Sequence, residues 1–385
     1  MHVLNVKRPK RVLLALGWYD YRLHRGIEKY ALKHGWHLCP DVTKEKVVPW
    51  GWEGDGILAW LGAGDDLAEF VVQAGKPTVD FSYRRRQLPF PRVLVDHKEV
   101  AHLVADHFVC RGLKHLAYYS DIDNWAFNEN GLCFSEFLAQ RNLECVWLKW
   151  HESAEHTTGK LQWVKKRRWL AVQLKKLPKP LGVFAANDDR ALEVLEACEA
   201  AGLKVPEQVG IVGVDNSILA VEAMQVPISS VDTNLELVGY MGAALLDKLM
   251  RGEPAPAEPI RIPPKALIVR RSSDILAVQH DGVARALRHM WENFNRPIGV
   301  DDLARLAGMS RRSLHAAFVQ HLGRTPGAEL HNLRIQYAKK LLLETDSKVE
   351  TISAMCGYAS LNSFAVAFKN AVGIAPGAFR AKFKT

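Results

Sequence analysis

From residue 11 to about 272, short apolar runs alternate with longer stretches whose apolar positions recur at helical spacing. The pattern predicts strands over 12–16, 56–60, 78–81, 93–95, 115–119, 146–150, 182–185 and 209–214, with a helix over 21–34 after the first of them. Strands separated by helices imply a mostly parallel α/β sheet. Two segments look like crossovers: Val95-Asp96 leads out of the first half, and Ser229-Ser230-Val231-Asp232 leads back into it. Two lobes joined in this way would hinge around a cleft, with lobe 1 at about 11–95 and 231–252 and lobe 2 at about 96–228 and 260–272.

The last hundred residues change period. One helical pattern occurs twice, around Gly308 and again around Gly357, and Phe318 and Phe368 close the two copies. Val300, Leu303 and Leu306 lead into the first glycine, and Val349, Ile352 and Met355 repeat that spacing before the second. Each glycine permits a tight turn between two helices, so both copies read as helix-turn-helix units. The second turn is one residue longer. Between them, 328–345 is apolar at Leu330, Leu333, Ile335, Ala338, Leu341 and Leu342 without an internal Pro or Gly, which predicts one connecting helix. A rigid spacer suits two readers entering successive major grooves, roughly 34 Å apart on one face of B-DNA.

Charge follows the same division. The region 277–385 holds 15 Lys and Arg against 8 Asp and Glu, while the rest of the chain holds 36 against 34, so most of the net +9 lies where phosphates would be met. A length of 385 residues implies two or three domains. The basic stretch 1–11 leads only into the short apolar run 12–16, so neither a secretory signal nor a membrane span is expected. Six cysteines without a Cys-x-x-Cys pair predict reduced thiols in a cytoplasmic protein.

The run Phe364-Ala365-Val366-Ala367-Phe368-Lys369, followed by Gly373, Pro376, Phe379 and Arg380, resembles the C-terminal signature of AraC-type transcription regulators. The resemblance covers about 279–383, within a DNA-binding domain expected at 279–385 after a linker at 273–278. Upstream, Ala186-Asn187-Asp188-Asp189-Arg190-Ala191-Leu192, then Gly202, Val205-Pro206 and Val209-Gly210-Ile211-Val212-Gly213-Val214-Asp215-Asn216, resemble the sugar-binding core of the LacI/GalR regulators and periplasmic binding proteins. The closing strand at 265–269 and Arg270-Arg271-Ser272-Ser273-Asp274 are similar to the end of that core, and the proline-rich 252–264 would be its last surface loop. LacI-type proteins carry their DNA reader at the N-terminus; here it stands at the other end. That order, with Pro263-Pro264 and the Arg-Arg-Ser-Ser-Asp junction, resembles the bacterial regulators of xylose operons. The fold class expected is therefore an α/β two-lobed, periplasmic-binding-protein-like core followed by an all-α domain with two helix-turn-helix motifs.

In open α/β sheets ligands sit beyond the carboxyl ends of the strands, which makes Trp18, Tyr19, Asp20, Asp188, Asp215 and Asn216 the candidate ligand contacts. Carboxylates and amides bind adjacent sugar hydroxyls, and an aromatic ring covers the C–H face. A strand-end capping role is the alternative for each carboxylate. One departure bears on the ligand. Where the LacI-like pattern carries an arginine shortly before a Gly-aromatic pair, this chain reads Asn128-Glu129-Asn130-Gly131-Leu132, so Asn128 replaces a bidentate cationic fork. Trp125 nearby offers an aromatic platform, or simply packs. D-xylose is the sugar that the resemblance offers.

The first reader is expected to present Arg311, Arg312, His315 and Ala316 to DNA, with Leu314 and Phe318 turned inward. The resemblance puts Arg312, His315 and Ala316 at base-facing positions, and Arg312 matches guanine O6 and N7. Arg311 is equally suited to phosphate. The second reader would present Ser360, Leu361, Asn362 and Val366, with Lys369 on phosphate. Asn362 suits adenine and Leu361 or Val366 a thymine methyl, but this half should work more through positioning and shape.

Catalytic signatures are missing: there is no P-loop, no Gly-x-Gly-x-x-Gly after a strand, no His-Glu-x-x-His and no Gly-x-Ser-x-Gly. His97, His102 and His107 recur every five residues, which spreads them around a helix and predicts no metal site. The expectation is a cytoplasmic, sugar-controlled regulator with no catalytic residues, metal or cofactor. Its partners would be double-stranded DNA with tandem half-sites, a small sugar in the inter-lobe cleft, a second copy of the chain and, for an activator, RNA polymerase. A sugar-processing enzyme or a ligand-binding module with an appended DNA-binding domain is the alternative.

Overall fold

The computed structural model describes every residue except 1–7, 41, 43–46, 63, 157–158, 218–224, 279 and 384–385. The chain folds into two units, one built from 1–96 and 234–263, the other from 97–233 and 264–384.

In the first unit, β1 (Arg11–Leu16) is buried from its second residue onward and pairs in parallel with β2 (His37–Cys39) and β3 (Gly56–Trp60). With β4 (Thr78–Asp80), the sheet order is β2-β1-β3-β4. The helix α1 (Tyr21–His34) is capped by Asp20, whose side chain accepts from the Arg22 N–H, and ends at Gly35 with φ 64°. It lies against α7 (Leu235–Met250), backbone to backbone. A Cβ on Gly26 would stand 1.9 Å from the Glu236 carbonyl, and one on Gly239 would stand 2.1 Å from the Leu23 carbonyl. On the sheet's other side α2 (Asp65–Ala74) buries Leu67, Phe70 and Val71 against Leu13, Ile57 and Ala59.

The second unit holds a six-stranded sheet ordered β12-β10-β9-β8-β6-β7, from β6 (His115–Ser120), β7 (Cys145–Lys149), β8 (Leu181–Ala185), β9 (Val209–Val214), β10 (Ser229–Asp232) and β12 (Ala266–Ile268). All neighbours are parallel except the β10–β12 pair. The helices α3 (His97–Cys110), α4 (Trp125–Ala139), α5 (Gln162–Lys176) and α6 (Asp188–Ala201) belong to it.

Two expected boundaries shift for reasons of pairing. Residues 229–232 form a full strand of the second sheet, so the return to the first unit comes at Asn234. Residues 260–262, expected with lobe 2 and within its last surface loop, form β11 (Ile260–Ile262), which pairs with β5 (Val93–Val95) in the first unit. The linker expected at 273–278 is also packed: the Ala277 N–H donates to the Arg111 carbonyl at 2.7 Å, and Leu276 and Val278 join the apolar core of the helical region that follows. The start proposed for that region, Gln279, lies outside the described residues.

The helical region runs through α8 (Asp281–Asn293), α9 (Val300–Ala307), α10 (Arg311–Leu322), α11 (Pro326–Glu344), α12 (Val349–Met355), α13 (Leu361–Val372) and α14 (Pro376–Phe383). The connecting helix expected over 328–345 is α11. It serves two cores. Leu330 joins Leu303, Leu314 and Phe318, whereas Ile335, Ala338, Leu341 and Leu342 join Ile352, Phe364, Phe368 and Phe379.

Candidate nucleic-acid interface and ligand-binding residues

Each reader is built by the same local chemistry. In the first, Gly308 ends α9 with φ 67°, and the Ser310 side chain caps α10 by accepting from the Ser313 N–H at 3.0 Å. In the second, the turn passes through Gly357 at φ 74°, and Ser360 caps α13 by accepting from the Ser363 N–H at 3.2 Å. From glycine to cap the second turn is one residue longer, as its sequence predicts.

Leu314 and Phe318 are fully buried, which leaves Arg311, Arg312, His315 and Ala316 exposed on the opposite side of α10. Arg311 makes a loose, solvent-exposed ion pair with Asp301 at 3.5 Å, which holds it only weakly. On α13, Phe364 and Phe368 point inward while Leu361, Asn362, Val366 and Lys369 are exposed. Leu361 is 43% and Val366 is 53% exposed, which puts apolar surface where the first reader has cations. Ser360 is exposed too, but its hydroxyl is engaged in the cap.

The readers are fastened to each other. Arg334, on α11, donates to the carbonyls of Phe294, Arg296 and Ile298 at 2.8, 2.8 and 3.1 Å, and its guanidinium lies 5.5 Å from the Tyr358 ring. A Cβ at Gly357 would stand 2.6 Å from the Arg296 carbonyl, so this glycine serves both its positive φ and a close approach between the readers.

The first reader is also fastened to the α/β half of its unit. Arg324 donates to Asp106 at 2.7 Å and to Glu329 at 3.2 Å, and the Cys110 thiol donates to the same Glu329 oxygen at 3.0 Å. Lys339 pairs with Glu99 at 3.3 Å, and the Arg111 guanidinium lies 4.4 Å from the Trp291 ring centre. Glu329 is completely buried. Burial raises its pKa, and Arg324 and the Cys110 hydrogen bond pull it partway back.

Of the ligand candidates in the first unit, Trp18 (38% exposed) packs against Trp60 with ring centres 4.7 Å apart. Tyr19 is half exposed, its hydroxyl 3.1 Å from His24 Nδ1. Asp20 pairs with Arg22 at 2.8 Å besides capping α1. Sequence reasoning passed over Asp80, fully buried at the carboxyl end of β4, whose carboxylate accepts from the Leu61 and Ser82 N–H groups. Burial pushes its pKa up to about 6.

In the second unit, Asp188 is 2% exposed at the start of α6; it accepts from the Ser217 N–H at 2.7 Å and the Ser230 hydroxyl at 2.5 Å. It thereby fixes the turn after β9. Asp215 and Asn216 in that turn have φ of 98° and 49°, conformations that side chains other than Gly adopt at some strain. The Asn216 carbonyl oxygen accepts from Arg270 at 2.9 Å. Trp125 meets the His97 ring edge-on at 5.2 Å, and Asn128 donates to Asp123 at 2.7 Å. A cluster that sequence reasoning missed stands beside them. Asp121, just past β6, binds Arg190 at 2.5 Å and Lys166 at 2.9 Å, and Lys166 reaches Glu193 at 2.6 Å. Burial works to raise the Asp121 pKa, but the two cations outweigh it and hold the carboxyl below its usual range. The placement of Asp121 and Asp123 after an apolar run was the available signal.

The three evenly spaced histidines go separate ways: His97 Nδ1 lies 3.0 Å from Asn130, His102 packs on Phe137, and His107 Nε2 lies 2.7 Å from Ser273. Among the described residues no group of His, Cys, Asp and Glu is arranged to hold a metal, and no helix is long and apolar enough to cross a membrane.

Comparison with known proteins agrees with this architecture. Residues 105–273 match the model of the periplasmic binding protein-like domain, and residues 303–382 match that of a helix-turn-helix domain. The chain is a DNA-binding transcription regulator that joins a periplasmic-binding-protein-like core to a helix-turn-helix domain. It is similar to the xylose operon regulatory protein of Escherichia coli (strain K12), 29% identical over 378 residues, or 94% of either chain. It is also similar to the xylose operon regulatory protein of Haemophilus influenzae, 29% identical over 337 residues, 85% of this chain and 84% of that one. The solved structure of a xylose-binding transcription activator, xylR, superposes with a TM-score of 0.61 at 26% identity, covering 98% of this chain and all of the other.

Proposed function

We propose that this regulator is switched by a small sugar, D-xylose first among them, bound at the strand ends. Trp18, Tyr19 and Asp20 are the groups the first unit offers, and Trp125, Asn128, Asp188, Asp215 and Asn216 those of the second. The observation that carries this reading is the likeness to xylose operon regulatory proteins along nearly the whole chain, sensor and reader alike. The chemistry of the strand ends agrees with it: carboxylates, amides and aromatic rings are the groups that bind sugar hydroxyls and C–H faces. The function is sensing, not turnover, in the cytoplasm.

DNA recognition is assigned to Arg311, Arg312, His315 and Ala316 in the first reader and to Ser360, Leu361, Asn362, Val366 and Lys369 in the second. Two copies of the chain would present four readers to tandem half-sites, in contact with RNA polymerase where the regulator activates. The sugar acts by its differential affinity for two states of the sensor, worth about 1 to 3 kcal/mol of coupling.

Thermal unfolding of the purified protein against pentoses, hexoses and sugar acids tests the sensor. A ligand at a hundred times its Kd adds about 2.7 kcal/mol to the stability of the folded state. The expected result is stabilisation by one sugar, without its consumption, and a change in operator affinity on adding it. An unmoved transition across the panel, or turnover of any member, would overturn the proposal.

A further inference from the structure

The near-neutral charge of the sensor half conceals one segment. Residues 160–180 hold eight Lys and Arg and no Asp or Glu. They centre on α5, whose Trp169, Leu170 and Leu174 are buried in the core, while Val164, Lys165, Arg168, Val172, Lys175 and Lys176 line its solvent-facing side at helical spacing. Lys166 binds Asp121 and Glu193, Arg167 lies 3.8 Å from Glu196, and Lys179 donates to the Leu174 and Leu177 carbonyls. Lys165, Arg168, Lys175 and Lys176 are exposed and meet no acidic partner among the described residues.

Apolar groups stand among these cations. Trp163 and Val164 are 56% and 54% exposed, and Val172 is 42% exposed. The Arg167 guanidinium lies 5.4 Å from the Trp163 ring centre. With Ala171 of α5 and Ala200 of α6, these side chains border a groove of about 430 Å³, and Arg168 and Lys175 stand on its walls. Single exposed apolar residues are ordinary, but a group of them in a groove between unpaired cations marks an interaction surface.

Position narrows the partner. Successive residues of a strand point to opposite faces of the sheet, and α5 packs on the face that carries Ala117, Tyr119, Val183 and Ala185. Phe108 of α3 and Phe134 of α4 cover the other face, at Gly182 and Phe184. The first reader is fastened to α3, through Asp106 and Cys110, so α5 lies across the sheet from it. The basic face is no continuation of the DNA-reading surface. Phosphates would satisfy its cations but leave Trp163, Val164 and Val172 in water. A bilayer surface is too flat to fill a groove between helices. A second copy docking by the same face would bring like charges together.

We propose that the α5 face binds an acidic amphipathic helix of another protein. Apolar side chains of that helix, spaced at i, i+3 and i+7, enter the groove against Trp163, Val164 and Val172. Asp or Glu on either side of the stripe pair with Lys165, Arg168, Lys175 and Lys176. The 15 residues of α5 span about 22 Å, which matches about four turns of the partner. Such a partner engages the sensor half and leaves the recognition helices free for DNA.

Fluorescence anisotropy of the full chain with labelled synthetic helices of about 16 residues tests the surface. One carries a leucine stripe flanked by glutamates, one is its scrambled isomer without a stripe, and one has the stripe flanked by lysines. A random-sequence duplex and phosphatidylserine vesicles are titrated in parallel at the same ionic strength. The expected result is micromolar binding of the acidic striped helix, at least tenfold weaker binding of the scrambled isomer and none of the basic one. Arg168→Glu with Lys175→Glu should weaken the acidic helix at least tenfold and Trp163→Ala at least threefold, with operator binding unchanged in both. If the charge-reversed variant does not fold, as judged by circular dichroism, Arg168→Ala with Lys175→Ala takes its place. No binding of the acidic striped helix, equal binding of the scrambled isomer, or unchanged binding to the variants would overturn the proposal. So would a charge-reversed variant that loses affinity only for the duplex or the vesicles, which assigns the face to nucleic acid or membrane, or one that loses only self-association in sedimentation, which assigns it to a second copy.

Discussion

At the turn that follows each recognition helix, the first reader carries Arg324 and Glu329 where the second carries Ile374 and Phe379. Both Glu329 and Phe379 are buried. In the second reader the pair serves that reader's own core. In the first it reaches outward, to Asp106 and Cys110 of the sensor half. One motif has therefore been used in two ways: a self-contained apolar version that only folds, and an ionic version that folds and also docks. A buried ion pair adds little net stability over apolar side chains of similar volume, so its presence here points to attachment, not to strength.

The largest effect should come from breaking that pair on one side. Arg324→Ile removes the cation hydrogen-bonded to the buried Glu329, and denaturant unfolding should show a loss of about 3 to 5 kcal/mol. Ile374→Ala in the second reader should lose less, because it creates only a partial cavity. Converting the first turn into the second, with Arg324→Ile and Glu329→Phe together, should recover most of the lost stability. Sugar should then change operator affinity less than in the parent; an unchanged response would mean that docking does not pass through this pair.

The exposed faces differ next. Arg312→Ala should weaken binding to the cognate duplex by about 1 to 3 kcal/mol and relax preference at one base pair. Val366→Ala, which deletes only apolar contact, should change binding by less than about 1 kcal/mol. Equal losses in a gel-shift or anisotropy titration would erase the proposed division between a reader of base identity and one of shape.

The smallest effect is on pH dependence. Burial raises the pKa of Glu329 above the value it has unfolded, so the folded protein holds this proton more tightly. Its contribution is fully present below the unfolded value and is lost as pH rises through the folded one. Unfolding followed from acid toward neutral pH should show this declining limb, and Glu329→Gln should flatten it. Phe379 gives the second reader no counterpart.

The sequence made some features plain and concealed others, for reasons that lie in particular residues. Strands buried on both faces, such as β1 and β9, announce themselves as unbroken apolar runs. β2 and β11, at three residues each and half exposed, show no pattern; β1 and β5 define them by pairing. The two readers were legible because Leu314, Phe318, Phe364 and Phe368 must be inside, which fixes the side of each helix left outside. Asp188 drew attention through its motif, yet its partners Ser217 and Ser230 stand 29 and 42 residues away, beyond any local pattern. Asp121, Lys166 and Arg190 were invisible for the same reason. Glu329 differs from these, because lining up the two Pro-Gly-Ala turns exposes the charge in a position where a ring belongs.

A single helix, α11, belongs to both readers, and that has a consequence for how such a regulator evolves. Its 19 residues span about 28 Å, and every residue added or removed between Leu330 and Ile335 would rotate one reader against the other by about 100°. Intermediate offsets are inaccessible. The protein's footprint on DNA is quantised in helical phase, so an operator can drift in sequence far more easily than in the separation of its halves.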